Sequence, residues 1–166
     1  SETAGYSAAD VIAACDNSFM GGDDAIFNFG SSANQANPWY QFTQADRNGD
    51  MSQFGYMYDH MANMSDPRTD LYKDPSDSTL MVFWGGSATS PQPWMTYFEL
   101  LFIRAEAEQR SGGDPTATLV AAISENMDFL GVATADRDAY VAGMAGADLQ
   151  KVMEEKYVAM FSQSES

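Results

Sequence analysis

TYFELLFIRAEAEQRSGG, residues 96–113, predicts the helix on which the rest of the fold depends. Apolar and small side chains recur here at the three-and-four spacing of one buried helical face. These side chains belong to Tyr97, Phe98, Leu101, Phe102 and Ala105. Gly112 and Gly113 follow the periodic stretch, and glycine readily takes the left-handed backbone that ends a helix. The pattern therefore predicts a helix over residues 94–111 that buries its aromatic side.

The next stretch, DPTATLVAAISENMDFLGV, predicts a partner for this helix. Asp114 can cap a new helix, and Pro115 suits the first helical position because its missing N–H is not needed there. One apolar stripe then runs through Leu119, Ala122, Ile123, Met127 and Leu130. A helix over residues 115–130, joined to the first by a Gly-Gly-Asp-Pro turn, predicts an antiparallel hairpin and a mainly α fold.

Composition and charge exclude several classes of protein. The 166 residues are 45% hydrophobic, which is enough for a globular core, and carry 8 basic against 24 acidic side chains. A formal net charge of −16 argues against nucleic-acid binding, which needs a positive face. No stretch approaches the ~20 apolar residues of a transmembrane helix. Cys15, the single cysteine, is expected to be a small buried helix residue.

Further local patterns predict the remaining elements. Ser7 can cap a helix within residues 6–20, and AIFNF is compatible with a short strand. Ser52 is expected to cap a helix with the apolar row Phe54, Met57, Tyr58, Met61 and Met64. A short helix near 135–143 precedes a last helix, roughly 147–161, whose expected inward residues are Leu149, Val152, Met153, Tyr157 and Met160.

Two long irregular stretches, residues 21–50 and 69–93, separate the helical pairs and are the expected location of function. Trp39 and Tyr40 lie in NQANPWYQF, and Trp84 lies in VFWGGS. Flat rings among amide and hydroxyl side chains can stack on a sugar and hydrogen-bond to it, so these three are the predicted ligand-binding residues. The alternative is that the rings attach the loops to the helical core.

Catalytic and metal-binding patterns are weak, so the sequence predicts neither an enzyme nor a cofactor. His60 has no second histidine beside it, and DRNGDMS at 46–52 lacks the glycine and glutamate of a complete calcium loop. No metal site is predicted, although calcium bound by loop oxygens stays open. A hydrolase that uses a pair of carboxylates also stays open, because no such pair can be chosen in so acidic a chain.

Several segments together resemble the SusD/RagB family of outer-membrane lipoproteins. SPQPWMTYFELLFIRAEAEQRSGG is similar to the family's helix that ends in Ala-Glu-Ala and glycine. SDPRTDLY resembles its Asp-Pro-Arg segment, and LQKVMEEKYVAMF resembles its late helix, with Glu155 in place of Gln. DDAIFNF and NPWYQF also occur in the family's order.

The resemblance implies tetratricopeptide-like helix pairs with long irregular loops, forming one SusD-like segment over residues 1–166 that is truncated at both ends. It implies a non-enzymatic lipoprotein on the extracellular face of the outer membrane, whose lipid anchor is absent from this chain. Its partners would be an oligosaccharide or another small nutrient and a SusC-like TonB-dependent transporter. Glu99 and Glu106 would hold loops through hydrogen bonds. The alternative is a helical protein-interaction module with no sugar site of its own.

Overall fold

A computed structural model describes residues 5–161 and 163. Over these residues the chain forms eight α-helices, one π-helix, one 3-10 helix and two short paired strands. Their bounds are α1 Ala8–Asp16, β1 Ala25–Phe27, α2 Pro38–Tyr40, the π-helix Gln41–Asp46, α3 Tyr56–Asn63, α4 Thr69–Tyr72, β2 Gln92–Met95, α5 Tyr97–Arg110, α6 Thr116–Leu130, α7 Thr134–Val141, the 3-10 helix Ala142–Met144 and α8 Leu149–Ala159. The mainly α prediction is confirmed.

The described chain divides into two compact units. The first comprises residues 5–25 and 95–161, and therefore contains α1 and α5 to α8. The second comprises residues 26–94 and 163, and contains α2, the π-helix, α3 and α4.

The predicted hairpin is the centre of the first unit. Thr96 caps α5 by accepting a hydrogen bond from the Glu99 N–H, and Gly112 ends that helix with left-handed backbone, φ 83°. The Asp114 carboxylate then accepts a hydrogen bond from the Thr116 N–H at 2.9 Å, as the sequence predicts. The two helices bury the expected faces against each other, and they share one core with α7 and α8. Its largest fully buried side chains are Phe98, Phe102, Leu119, Ile123, Met127 and Val152.

Charged side chains tie the outer helices of this unit to α5. Arg104 of α5 pairs with Asp16 of α1, and Lys156 of α8 donates to Glu106 of α5 at 3.0 Å. The expectation that Glu106 holds a loop is therefore wrong, because its carboxylate joins two helices. The Glu99 carboxyl lies in the same region, where burial raises its pKa while the Thr96 hydrogen bond and Lys156 act in the opposite direction.

The inward face of α8 differs in part from the prediction. Val152 and Met160 are buried, but Met153 and Tyr157 are exposed, and Val158 and Ala159 are buried instead. Because apolar residues are adjacent at 152–153 and again at 157–158, the sequence alone does not decide which side of the helix faces inward. The packing against α5 and α6 selects the phase through Val152 and Ala159, since both lie in the common core.

In the second unit, α3 begins four residues later than the proposed cap at Ser52. Gly55 precedes the helix with φ 114°, a conformation that side chains other than glycine rarely adopt, and it fixes the helix start. Phe54 therefore lies outside the helix and is 71% exposed, contrary to the prediction. Met57, Tyr58 and Met61 are buried as expected.

The Asp-Pro-Arg segment, residues 66–68, follows α3 and forms a buried ion pair in the second unit. Arg68 Nη2 lies 2.6 Å from Asp66 Oδ2, and the Arg68 N–H also donates to the same carboxylate at 2.9 Å. Both side chains are almost completely buried. A buried charge is tolerated only with such a partner, so the pair has a structural role.

Candidate functional site

The candidate site of the second unit begins with a capped helix. The Asn37 side-chain oxygen accepts hydrogen bonds from the N–H groups of Trp39 at 2.8 Å and Tyr40 at 3.2 Å. Pro38 occupies the first helical position, where its missing N–H costs nothing. The helix then widens into the π-helix, closed by a bond from the Arg47 N–H to the Phe42 carbonyl. Such π turns are rare and occur frequently at functional sites.

The same segment is fastened to residues 81–90. Asn37 Nδ2 donates to the carbonyls of Trp84 at 3.0 Å and Ser90 at 2.9 Å, and its side chain is fully buried. Gln44 Nε2 donates to the carbonyls of Met81 and Gly85. These bonds give side-chain donors to four backbone carbonyls of a largely irregular loop.

The three predicted ligand-binding rings lie in different environments. Trp39 is 37% exposed and Tyr40 is half-buried, so both rings reach the surface in part. Trp84 is 0% exposed, with its ring 4.7 Å from the Phe83 ring and 6.3 Å from the Tyr72 ring, centroid to centroid. Trp84 is therefore not placed as the predicted ligand-binding ring: its ring belongs to the core of the second unit and cannot stack on a ligand in this conformation.

A pocket of about 660 Å³ is lined by residues that are close to Trp39 and Tyr40 in the sequence. Its volume is within the range of roughly 300–1,000 Å³ that is usual for small-molecule sites. We call it the amide–aromatic pocket, and it is lined by Phe27, Asn28, Phe29, Gly30, Asn34, Gln35, Ala36, Pro38 and Gln41. Pro38 and Gln41 directly flank the two predicted rings.

Aromatic rings form one part of this pocket. The Phe27 and Phe29 rings meet edge to face, with their centroids 4.9 Å apart and an angle of 68° between their planes. Phe27 also stacks on Trp94, at 5.9 Å and 14°. Phe27 is 47% exposed and Trp94 is 69% exposed, although rings of this size are usually buried. This exposed stack provides flat apolar surface at the pocket.

Amide side chains form the polar part. Gln41 Nε2 donates to the Ala33 carbonyl, and the Ser32 hydroxyl donates to the side-chain oxygens of Asn34 and Gln35. Within the described part of the chain, the Gln41 side-chain oxygen and the Asn34 and Gln35 side-chain nitrogens make no hydrogen bond beyond these. The pocket therefore offers N–H donors and C=O acceptors together. A ligand hydroxyl can use both, because it donates one hydrogen bond and accepts others.

None of the three predicted rings lines the pocket, and the two rings that do, Phe27 and Phe29, are absent from the prediction. Phe27 lies in the short strand β1, and Trp94 lies in β2 after Pro93. The stacked rings of Phe27 and Trp94 lie 67 residues apart in the sequence, so no local sequence pattern predicts their contact. The alternation in AIFNF was the available clue, because it puts Phe27 and Phe29 on the same side of an extended segment.

Other candidate groups carry no recognisable site. Among residues 5–161 and 163, no group of three or more His, Cys, Asp or Glu side chains is placed to hold a metal ion. In the proposed calcium-like loop, the Arg47 guanidinium pairs with Asp50. His60 stacks on Tyr56 at 5.7 Å, and Cys15 lies half-buried in α1, where burial raises its pKa. No helix of the described chain is long and apolar enough to cross a membrane.

Comparison with known proteins gives a match in structure. No protein-family model matches the sequence, and a search of curated proteins finds no match. The crystal structure of a SusD/RagB family protein from Bacteroides thetaiotaomicron VPI-5482 superimposes with a TM-score of 0.68 over 92% of this chain, at 23% sequence identity. The chain has the SusD/RagB fold.

This similarity confirms, at the level of the fold, the resemblance found in the sequence motifs. The chain spans 44% of the length of that SusD/RagB protein, so it corresponds to less than half of the solved structure. At this level of identity the similarity concerns the fold, and the chemistry of the site rests on the residues of this chain.

Proposed function

We propose that the amide–aromatic pocket binds an oligosaccharide, and that the chain is part of a non-enzymatic nutrient-binding lipoprotein. Under this proposal, residues 1–166 form one SusD-like segment on the extracellular face of the outer membrane. The segment works with a SusC-like TonB-dependent transporter, and Trp39 and Tyr40 contact the ligand at the edge of the pocket. The single observation that carries the proposal is the cluster of the exposed Phe27 and Trp94 rings with the half-buried Phe29 ring, next to the amide side chains of the pocket lining.

The chemistry of a sugar fits this arrangement. The ring C–H groups of a pyranose form an apolar face that packs on an aromatic ring, and its hydroxyls both donate and accept hydrogen bonds. Phe27 and Phe29 supply the aromatic surface, while Asn28 and Gln35 supply the amides. Asn28 makes no hydrogen bond within the described part of the chain, so its amide is available without breaking an internal contact.

A glycan array followed by isothermal titration calorimetry on the hits tests the proposal. Wild-type protein is expected to bind oligosaccharides, and Phe27→Ala is expected to weaken binding at least about tenfold, which is 1.4 kcal/mol. Phe54→Ala is the matched control, because Phe54 is more exposed than Phe27 but does not line the pocket. Equal loss of affinity in both variants would contradict a site at this pocket.

A helical module that binds only a protein partner is the second candidate function. The observation that favours it is the exposure of Phe54 and Tyr56, 71% and 68%, neither of which lines the pocket. Binding of no oligosaccharide on the array would support this second candidate and reject the first.

A further inference from the structure

The chain concentrates its charges outside the part that forms the pocket. Residues 26–45 contain no Asp, Glu, Lys, Arg or His, and neither do residues 78–94. The whole chain is 19% charged, so two uncharged runs of this length depart from its composition. Both runs belong to the second unit.

The two uncharged runs are structurally one site. All nine residues that line the amide–aromatic pocket come from the first run. The second run supports the first through the hydrogen bonds of Asn37 to Trp84 and Ser90 and of Gln44 to Met81 and Gly85. The second run also contains Trp94, which stacks on Phe27.

The basic side chains of the second unit are engaged elsewhere. Between residues 26 and 94 they are Arg47, Arg68 and Lys73. Arg47 pairs with Asp50, and Arg68 is fully buried against Asp66. The Lys73 ammonium lies over the Tyr58 ring, 5.4 Å from its centroid. A carboxylate or sulfate on a ligand would therefore find amides in the pocket but no cation there.

From this distribution we infer that the amide–aromatic pocket selects uncharged oligosaccharides over those that carry carboxylate or sulfate groups. The inference rests on the proposed function and adds the substrate class. Removing an anion from water costs free energy, and the charge-assisted hydrogen bonds of a cationic side chain, which the pocket lining lacks, would recover most of it. The net charge of −16 adds repulsion at longer range. A neutral sugar pays neither the desolvation of an anion nor this repulsion, because its hydroxyls can form their hydrogen bonds with the amide groups of the pocket.

Matched glycan pairs that differ only in charge test the inference. Suitable pairs are α-1,4-galactotriose with α-1,4-trigalacturonate, and a xylo-oligosaccharide bearing a glucose branch with the same oligosaccharide bearing a glucuronic acid branch. Calorimetry on the full chain is expected to give affinity for the neutral member at least about tenfold higher in each pair that binds. Equal or tighter binding of the acidic members overturns the inference and leaves the proposed function intact. Absence of binding to any glycan on a broad array overturns both.

A new cation in the pocket locates the selectivity. Asn28→Arg and Asn34→Arg each introduce a guanidinium at the lining and are expected to raise affinity for the acidic members at least about tenfold. Ala62→Arg is the control, because Ala62 is an exposed residue of α3 that does not line the pocket and receives the same charge. A gain in Ala62→Arg equal to that in the pocket variants, or no gain in either pocket variant, overturns the assignment of selectivity to this pocket.

Discussion

The side-chain nitrogen of Asn37 donates a hydrogen bond to the backbone carbonyl of Trp84 over 3.0 Å, across 47 residues of sequence. The oxygen of the same amide caps the helix that starts at Pro38. One fully buried side chain thus joins the segment that flanks the pocket to the loop that carries the buried Trp84. The irregular loops of the second unit are ordered by such polar contacts as well as by packing.

Asn37→Ala is expected to destabilise the protein by about 2–4 kcal/mol. The change removes a helix cap, worth about 0.5–2 kcal/mol, and leaves the carbonyls of Trp84 and Ser90 without their donor. Urea unfolding monitored by circular dichroism measures the loss. Asn34→Ala is the control, because Asn34 is exposed and should change stability by less than ~0.5 kcal/mol. Similar values for the two variants would contradict this role of Asn37.

Trp84→Ala is expected to cost about 3–5 kcal/mol, the range for a large buried aromatic side chain. Trp39→Ala should cost clearly less, because the Trp39 ring is 37% exposed. Thermal unfolding of the two variants provides the measurement. The same pair separates stability from binding: on the proposed function, Trp39→Ala weakens oligosaccharide affinity while leaving the melting temperature nearly unchanged. A larger loss of stability in Trp39→Ala than in Trp84→Ala would reverse the assignment of core and surface.

The helical hairpin could be predicted because its information is local. Apolar periodicity and Gly112 as a stop have the predicted roles, and Asp114 accepts a hydrogen bond from the Thr116 N–H, although α6 begins at Thr116 and Pro115 precedes its first position. The helix that starts at Tyr56 was predicted less well, since Phe54 continues the apolar row before the backbone can be helical. Gly55 sets that boundary through its dihedral angles, which a hydrophobic pattern does not report.

The candidate site was less accessible to prediction because non-local contacts build it. A tryptophan in an irregular stretch can face the core or the solvent, and the apolar run LMVF before Trp84, against the polar NQAN before Pro38 and Trp39, is the one local clue that separates the two. Only the fold puts Trp84 against Tyr72 and brings Trp94 onto Phe27. The amide-rich segment around Trp39 does contribute Pro38 and Gln41 to the pocket lining, but not Trp39 or Tyr40.

The ion pair between Lys156 and Glu106 should make stability depend on pH. Burial raises the pKa of Glu106, but the hydrogen bonds from Lys156 and Arg110 outweigh it, so the pKa lies below the usual value of about 4.3. A carboxyl whose pKa is lowered by folding stabilises the fold above its unfolded pKa and loses that effect as pH falls through its folded pKa.

Glu106→Gln is therefore expected to lower stability by about 1 kcal/mol at pH 7, since the pair is partly exposed, and by progressively less below pH ~4. Denaturant unfolding at several pH values measures the difference between variant and wild type. Glu154→Gln is the control, because that carboxylate accepts its hydrogen bond from the neutral Gln150. A Glu106→Gln deficit that stays constant down to pH 3 would argue against the ion pair as its cause.

Gly30→Ala tests how closely the pocket loop is packed. A Cβ at residue 30 would lie 2.6 Å from Gln35 Oε1 and 3.0 Å from Gln35 Cβ, so Gln35 would have to move. Because both residues line the pocket, oligosaccharide affinity is expected to fall about tenfold. Gly143→Ala is the control, since a Cβ there meets no atom within 4 Å. Unchanged calorimetric affinity in Gly30→Ala would show that Gln35 does not contact the ligand.

Trp94 is expected to act on binding through Phe27, because the two rings stack at 5.9 Å and Trp94 does not itself line the pocket. Trp94→Ala removes one wall of the Phe27 ring and frees it to rotate, so oligosaccharide affinity should fall by about threefold to tenfold. Trp94→Phe keeps a stacking partner for Phe27 and should restore most of that affinity. Such a rescue would show that the stacked ring matters, since Trp94→Phe also loses side-chain volume. Tyr56→Ala is the matched control: Tyr56 is equally exposed and also stacks on a neighbour, His60, but lies outside the pocket lining. If Trp94→Ala binds as tightly as wild type, Phe27 holds its orientation without the stack, and the sugar-binding surface ends at the Phe27–Phe29 pair.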